Sequence, residues 1–374
     1  MGIINNFTGK VKYLAGIDKR FKCPYCLHEF SKAEAKSGEI RGIKYNLCPN
    51  EEIDSNGRPV CGRRLPLRFF DSDSRVISLI GGAGTGKTYF FMALQRILED
   101  SELNGLGISG NIFFPPGDSA SEQYYEKLKN QINNGDILDA TTADQGIEQT
   151  ALGLEVNIDK NGKRKTVYFT FFDNPGEGFN EEEYIIRNMN IHKSDAVIFL
   201  TAPEQIRQLI PHIRGNGYML TTPLLTVINN IINVLKRDNN DYDKKTSIIG
   251  KVIDKLQPSR IEIPFAFCFS KYDLIYNVFK ISIPHDLNQK EFRIIINVHD
   301  KSINYDEIDY FSQSILDKIN DLSIYHLINT VPSNFDNYHY FGIQSIELKD
   351  GKCYLNPRGA SLPIIWILKQ LNLL

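Results

Sequence analysis

The chain has 374 residues, of which 42% are hydrophobic, 24% charged and 11% aromatic. That balance excludes a disordered chain, a collagen-like repeat and a small disulfide-stapled scaffold. With 43 Lys and Arg against 45 Asp and Glu the formal charge is −2, so no global field draws the whole molecule onto nucleic acid or anionic lipid.

The length suggests about two to three domains, and the charge is unevenly divided among them. Residues 1–70 carry 13 Lys or Arg and 7 Asp or Glu, a balance of +6, which leaves −8 for the rest. No apolar run approaches the roughly 18 residues of a membrane-spanning helix. The start, Met1-Gly2-Ile3-Ile4-Asn5-Asn6, lacks the charged-then-apolar plan of a secretory leader and the Ser or Thr of a myristoylation signal. The expectation is a cytoplasmic protein with no membrane contact.

In chain order, the first feature is a set of four cysteines: Cys23, Cys26, Cys48 and Cys61. Cys23-Pro24-Tyr25-Cys26 has the two-residue spacing that puts two thiolates on adjacent corners of a zinc tetrahedron. Cys48-Pro49 and Cys61-Gly62 read as the two halves of a C-P-x-C-G knuckle separated by a polar, turn-forming loop. Two disulfides, a redox C-x-x-C, or His28 in place of one thiol are the competing readings. A cytosolic chain disfavours disulfides, and a redox motif belongs in a βαβ unit. The expectation is a structural zinc ribbon over 21–66, with a core too small to fold without metal. Cys268 and Cys353 read as buried apolar residues.

Residues 75–80 read as a buried strand, followed by Gly81-Gly82-Ala83-Gly84-Thr85-Gly86-Lys87-Thr88 and an amphipathic helix from Tyr89 to about Leu98. This is G-x-x-x-x-G-K-T between a strand and a helix. The glycines let backbone N–H groups converge on phosphate oxygens at the positive end of a helix. Lys87 would reach the β- and γ-phosphates, and Thr88 would offer its hydroxyl to Mg²⁺.

Further on, 152–158 and 165–172 read as antiparallel strands joined by a turn that contains Asn161-Gly162. The second strand ends in Asp173-Asn174-Pro175-Gly176. Asp173 at such a tip can hold Mg²⁺ through water, and Gly176 can offer its N–H to a γ-phosphate. Two more buried strands follow at 195–201 and 263–269, the latter ending in Ser270-Lys271-Tyr272-Asp273.

With these motifs in this order, the chain resembles the TRAFAC class of P-loop GTPases, whose signature is G-x-x-x-x-G-K-[ST], D-x-x-G and [NT]-K-x-D. The resemblance covers about 75–346 by motif, and the long stretches between motifs are unmatched. It implies that Asp273 accepts hydrogen bonds from the guanine edge and that Lys271 lies along the base, with GTP as substrate and Mg²⁺ as cofactor. An N-terminal zinc ribbon on such a domain is similar to large bacterial GTPases of conflict-type systems.

Three positions depart from the pattern. Ser270 stands where Asn or Thr is usual. Glu177 stands where many members have a water-positioning Gln, which would make intrinsic turnover slow. Gly84-Thr85-Gly86-Lys87-Thr88 is also common among ATPases.

The switch threonine that would meet Mg²⁺ stays open between Thr142 (with Thr141 beside it, in a polar loop) and Thr150 (by register before the first hairpin strand). The final base-contacting loop is expected at Gln344 and Ser345, after a last strand at 338–343.

Helical patterns fall at 203–214, 222–236, 306–322 and 361–374. The fold expected is α/β: a P-loop NTPase G domain over 67–374, with a mostly parallel sheet, helices on both faces and helical insertions at about 203–262 and 274–337. His192, His212 and His339 show no metal spacing, and no internal repeat occurs.

The function expected is a Mg²⁺-dependent GTP-binding and GTP-hydrolysing switch that uses GTP/GDP, with the zinc ribbon recruiting a protein partner. The alternatives are a nucleotide-holding adaptor with negligible hydrolysis, or an ATPase acting on nucleic acid. The basic head, with Lys19-Arg20 and Arg63-Arg64, is where nucleic acid would bind.

Overall fold

The computed structural model describes residues 19–40, 42–52, 61–66, 68–99, 103, 106–113, 119–138, 150–160, 163–173, 176–187, 189–213, 224–243, 260–297 and 302–374. Two small antiparallel pairs come first, β1 (Arg20–Lys22) with β2 (Glu29–Ser31) and β3 (Lys36–Ile40) with β4 (Ile43–Leu47). Then follow β5 (Asp73–Ile80), α1 (Lys87–Glu99), β6 (Ile108–Phe113), α2 (Ser119–Asn134), β7 (Thr150–Lys160), β8 (Lys163–Asp173) and α3 (Glu182–Arg187). The chain continues with β9 (Ala196–Thr201), α4 (Leu224–Asp243), β10 (Phe265–Phe269), the short pair β11 (Ile296–Asn297) and β12 (Ser302–Ile303), α5 (Tyr305–Asp321) and α6 (Tyr325–Asn334). It closes with β13 (Tyr338–Gly342), a hairpin of β14 (Gln344–Lys349) and β15 (Lys352–Arg358), and α7 (Leu362–Gln370).

Seven strands form one sheet in the order β13-β10-β9-β5-β8-β7-β6. The five from β13 to β8 are parallel, while β7 runs antiparallel to β8 and β6 antiparallel to β7. The side-chain period of two sorts each central strand onto two cores. Ala196, Ile198 and Leu200 of β9 and Ala266 and Cys268 of β10 face one cluster with α1 and α7. Val197, Phe199, Phe265, Phe267 and Phe269 face the other, with α4 and α6. Helices therefore cover both faces, as a buried parallel sheet requires.

The hairpin expected around Asn161-Gly162 is β7 and β8, paired from Thr150 opposite Asp173 to Lys160 opposite Lys163. Helix α4 is the crossover between β9 and β10, and α5 with α6 spans β10 to β13. Most of the helix in each expected insertion thus does what a parallel strand pair always needs. The helical expectation at 203–214 is corrected: the chain makes two short 3₁₀ turns, Pro203–Gln205 and Ile210–His212. Pro203 can open a turn, but Pro211 has no N–H for an α-helical bond and its ring clashes with the preceding turn.

The start of α7 is held by a fully buried carboxylate. Asp286 accepts the Ala360 N–H at 2.8 Å, the Ser361 N–H at 3.3 Å and the Ser361 hydroxyl. Burial outweighs these bonds and pushes its pKa up to about 6. A folded pKa above the unfolded one favours folding at low pH, and that advantage is lost as the pH rises through about 6. Wild type should lose about 2 kcal/mol of stability relative to Asp286→Asn between pH 4 and pH 6.5. Urea unfolding of both proteins across that range checks it, and parallel pH profiles would refute it.

The cysteine-rich unit is docked on the base of the sheet. Lys22 Nζ donates to the Lys193 carbonyl at 2.7 Å and pairs with Asp195 at 3.0 Å, while Lys193 Nζ donates back to the Leu27 carbonyl at 3.1 Å. Asp195 also accepts the Val76 N–H at 2.8 Å. Phe21 and Phe30 pack on Phe69, which packs on Tyr168 of β8, and Leu27 packs on Val76 of β5. These contacts fall on the N-terminal half of β5, the middle of β8 and the residues just before β9. From Val76 the strand runs four more residues, roughly 13 Å at about 3.3 Å per residue, to Ile80, where the phosphate loop begins.

Candidate nucleotide and metal sites

The parallel strands β5, β9, β10 and β13 send their following loops to one edge of the sheet, and β8 sends Gly176 there. In open α/β sheets this edge is where ligands bind. A cleft of about 690 Å³ opens there, lined by Gly84, Thr85, Gly86, Lys87 and Thr88 on one side and by Ser270, Lys271 and Asp273 on the other. Gly176, Gln344 and Ser345 also line it. Residues more than 250 positions apart in sequence thus converge on one cavity.

The phosphate loop leaves β5 and enters α1 as its sequence requires. Gly84 and Gly86 sit at φ 72° and 80°, a region that costs other residues dearly. Thr85 Oγ1 donates to the Gly82 carbonyl at 2.9 Å. Lys87 opens α1, is buried, and turns its Nζ back to the Gly81 carbonyl at 2.9 Å and the Gly82 carbonyl at 3.3 Å. Gly81 itself is buried beneath the loop. Thr88 follows in the first helical turn.

Gly176 meets the phosphate loop directly. A Cβ there would lie 2.3 Å from the Ala83 nitrogen and 2.3 Å from the Gly82 carbonyl carbon, both backbone atoms that cannot yield. Only glycine lets the two loops touch. Asp173 is the last residue of β8, and Glu177 lies in the 3₁₀ turn Gly176–Asn180. Thr150 begins β7, opposite Asp173 in the ladder. Thr142 falls outside the described residues.

Ser270 gives both its N–H (2.9 Å) and its hydroxyl (3.0 Å) to the Thr201 carbonyl. Lys271 takes the left-handed conformation, φ 49°. Its Nζ pairs with Glu204 at 2.8 Å. Enclosure by the cleft walls pushes the Asp273 carboxyl above its usual range. Its own backbone N–H and Lys271 oppose the shift, and the charges of Glu204 and Glu347 add to it.

Gln344 and Ser345 are not a free loop but the first residues of β14, whose strand continues as the cleft wall through Glu347 and Leu348. Neither this hairpin nor Glu204 figures among the residues expected above. The hairpin had a local signal: Asp350-Gly351, at φ 53° and 74°, is the two-residue turn that right-twisted strands favour. Glu204 had none, because its partner is 67 residues away.

At the other end of the molecule, the Sγ atoms of Cys23, Cys26, Cys48 and Cys61 all lie within 4.8 Å of one another. Cys23 and Cys61 are 3.8 Å apart and Cys26 and Cys48 3.6 Å. A zinc ion with four thiolates at about 2.3 Å has tetrahedral edges of about 3.8 Å, so the donor set fits.

The two half-sites are built alike. Cys23 N–H donates to the carbonyl of His28, two residues past Cys26, at 2.9 Å; Cys48 N–H donates to that of Arg63, two residues past Cys61, at 3.0 Å. The residue after each second cysteine is left-handed, Leu27 at φ 61° and Gly62 at φ 90°. The divided knuckle thus has the geometry of the continuous one. Asn50 Nδ2 and the Tyr25 N–H point at Cys26 Sγ and Cys23 Sγ, at 3.7 and 3.5 Å. Burial pushes the Cys23 thiol up, while its neighbours' hydrogen bonds hold Cys26 down. Cys268 and Cys353 are buried, as expected.

No curated protein matches the chain. Among solved structures it is similar to the Arl6 BBS3 small GTPase of Trypanosoma brucei with bound nucleotide analogue GppNp, at 12% identity and a TM-score of 0.26, covering 80% of this chain and 98% of that one. It is also similar to the GTPase-like domain of S. cerevisiae Ski7, bound to GDP and inorganic phosphate, at 10% identity and a TM-score of 0.28, covering 72% of this chain and 43% of that one. A family model described as Double-GTPase 2 matches residues 75–271, more than half of the chain. That match starts in the strand feeding the phosphate loop and ends at Lys271 in the far wall of the cleft, and on its extent the chain belongs to the Double-GTPase 2 family.

Proposed function

We propose that the chain is a Mg²⁺-dependent GTP-binding and GTP-hydrolysing switch protein, with a G domain over 67–374 and a zinc ribbon over 21–66. The observation that carries this reading is the single cleft in which the phosphate loop faces Ser270, Lys271 and Asp273. An anion cradle opposite an acidic residue is the chemistry of a guanine nucleotide. Asp273 accepts from the donor-bearing guanine edge, whereas adenine presents the opposite pattern there. Gln344 and Ser345 complete the base wall.

On the phosphate side, backbone N–H groups of Gly84, Thr85 and Gly86 would surround the β-phosphate with Gly81 supporting the loop from beneath, and Lys87 would reach the β- and γ-oxygens. Thr88 and Asp173 would hold Mg²⁺, with Thr150 or Thr142 as the switch ligand. Oxygen donors of this kind suit a hard cation, which would neutralise the phosphate charge. Thr150 is favoured by its place opposite Asp173 in the β7/β8 ladder.

The contact between Gly176 and the phosphate loop supports a switch role for the Asp173 loop. A γ-phosphate accepting the Gly176 N–H would hold that loop, and hydrolysis would release it. Glu177 orients the attacking water, slowly and with help from a partner bound at the switch or on the ribbon.

Titration of labelled GTP and ATP tests the base assignment. GTP should bind at least about tenfold more tightly than ATP. Asp273→Ala should lose roughly 10–100-fold of GTP affinity, as for hydrogen bonds to a charged group, and with it the preference. Wild-type GTP affinity should also fall as the pH is lowered, because the raised pKa of Asp273 brings its protonation closer to neutrality. Equal binding of ATP and GTP would refute the assignment, and absence of phosphate release with or without added partner would refute hydrolysis.

A further inference from the structure

Three observations meet at the base-binding wall of the cleft. Ser270 spends both its N–H and its hydroxyl on the Thr201 carbonyl. Lys271 holds φ 49°, a conformation that persists in a non-glycine residue only where its surroundings enforce it. Glu204, presented by the 3₁₀ turn Pro203–Gln205 at the tip of β9, pairs with Lys271 Nζ at 2.8 Å, and both residues line the cleft.

The turn that carries Glu204 is itself fixed. Gln205 Oε1 accepts the Ala202 N–H at 3.1 Å and the Thr201 hydroxyl at 3.2 Å, both within the buried tip of β9. Glu204 is the better buried of the pair, with 14% of its side chain exposed against 36% for Lys271. Its second oxygen, Oε2, is buried without a hydrogen-bond partner among the described residues. A carboxylate kept in that position at such a cost is held for a purpose other than packing.

We propose that Glu204 is a positioning residue of the nucleotide site: anchored on β9, it holds the Lys271 ammonium against the base-binding wall and supplies the tether that Ser270 cannot. The inference rests on the nucleotide reading of the cleft.

A double-mutant cycle on the full-length protein tests it, with labelled GTP and ATP as probes and a melting curve for each variant. Glu204→Ala and Lys271→Met should each weaken GTP about tenfold, and the GTP-over-ATP ratio should fall in parallel. The double variant should be close to Lys271→Met alone rather than about 100-fold weaker, because the two changes remove one interaction. Glu204→Gln, which keeps the shape and an acceptor for Lys271, should recover part of the loss. Glu204→Ala or Glu204→Gln binding like wild type while folded, or additive losses in the double variant, would overturn the proposal. Wild type that takes ATP as readily as GTP would refute the guanine reading instead, and the same cycle run in ATP would still decide the role of Glu204.

Discussion

Lys87→Met will lower affinity for GTP by at least about 100-fold while leaving the protein folded. Two or more charge-assisted hydrogen bonds to phosphate oxygens, each worth about 1.5–3 kcal/mol, account for that size. Methionine keeps the buried stem in a helix whose neighbours Phe90, Phe91 and Leu94 supply the packing. The bonds from Nζ to the Gly81 and Gly82 carbonyls are lost as well. Both bonds are buried, but Thr85 Oγ1 still meets the Gly82 carbonyl, so the melting temperature should fall by several degrees without loss of the fold. Fluorescence titration with a labelled GTP beside a thermal melt checks both halves. Affinity within threefold of wild type would mean that the phosphates lie elsewhere.

Removing the metal from the cysteine site, or replacing Cys23 or Cys48 with serine, will unfold the ribbon and lower the stability of the whole chain. Among the described residues the ribbon core is seven buried side chains, two of them, Phe69 and Tyr168, from outside 21–66. So small a core does not hold by itself, whereas structural zinc supplies about 10–16 kcal/mol to such modules. Because Lys22, Leu27 and Phe69 are docked on β5, β8 and the turn before β9, its loss exposes Tyr168 and Val76 at the base of the sheet. The expected result is one zinc per chain by metal analysis. Chelation should lower the main melting transition by at least about 5 °C. An unchanged melt with zinc gone would separate the ribbon from the G domain. No bound zinc in protein purified under reducing conditions would refute the metal assignment.

The cysteine-rich unit is docked on the sheet rather than standing free of it. The two lysine–carbonyl exchanges, Lys22 to Lys193 and Lys193 to Leu27, tie it to the strand ends opposite the nucleotide cleft. β5 is the element that reaches from this docking face to the phosphate loop. Among the described residues no helix is long and apolar enough to cross a membrane.

Much of this protein was legible in its amino-acid sequence, for a local reason. A phosphate loop is a run of backbone N–H groups whose geometry is dictated by adjacent glycines. Gly81 to Thr88 therefore announce themselves wherever the chain places them. The same holds for Cys23-Pro24-Tyr25-Cys26, for the Asn161-Gly162 hairpin, and for the apolar runs that became β5, β8, β9 and β10. Each is decided within about ten residues.

What needed the tertiary structure is whatever depends on two distant segments meeting. The turn residues that replaced a helix at 203–213 were set by two prolines that outweighed an apolar spacing. The convergence of Cys48 and Cys61 on the geometry of a continuous knuckle is a matter of hydrogen bonds across a loop. Glu204 became part of the nucleotide site only because β9 lies beside β10, and the β14/β15 hairpin became its wall only because β13 ends next to them. The sequence alone determined which chemistry the chain carries; the order of strands in the sheet decided which residues share the cleft and put the ribbon at its opposite end, since strand adjacency is settled by long-range packing and not by any local pattern.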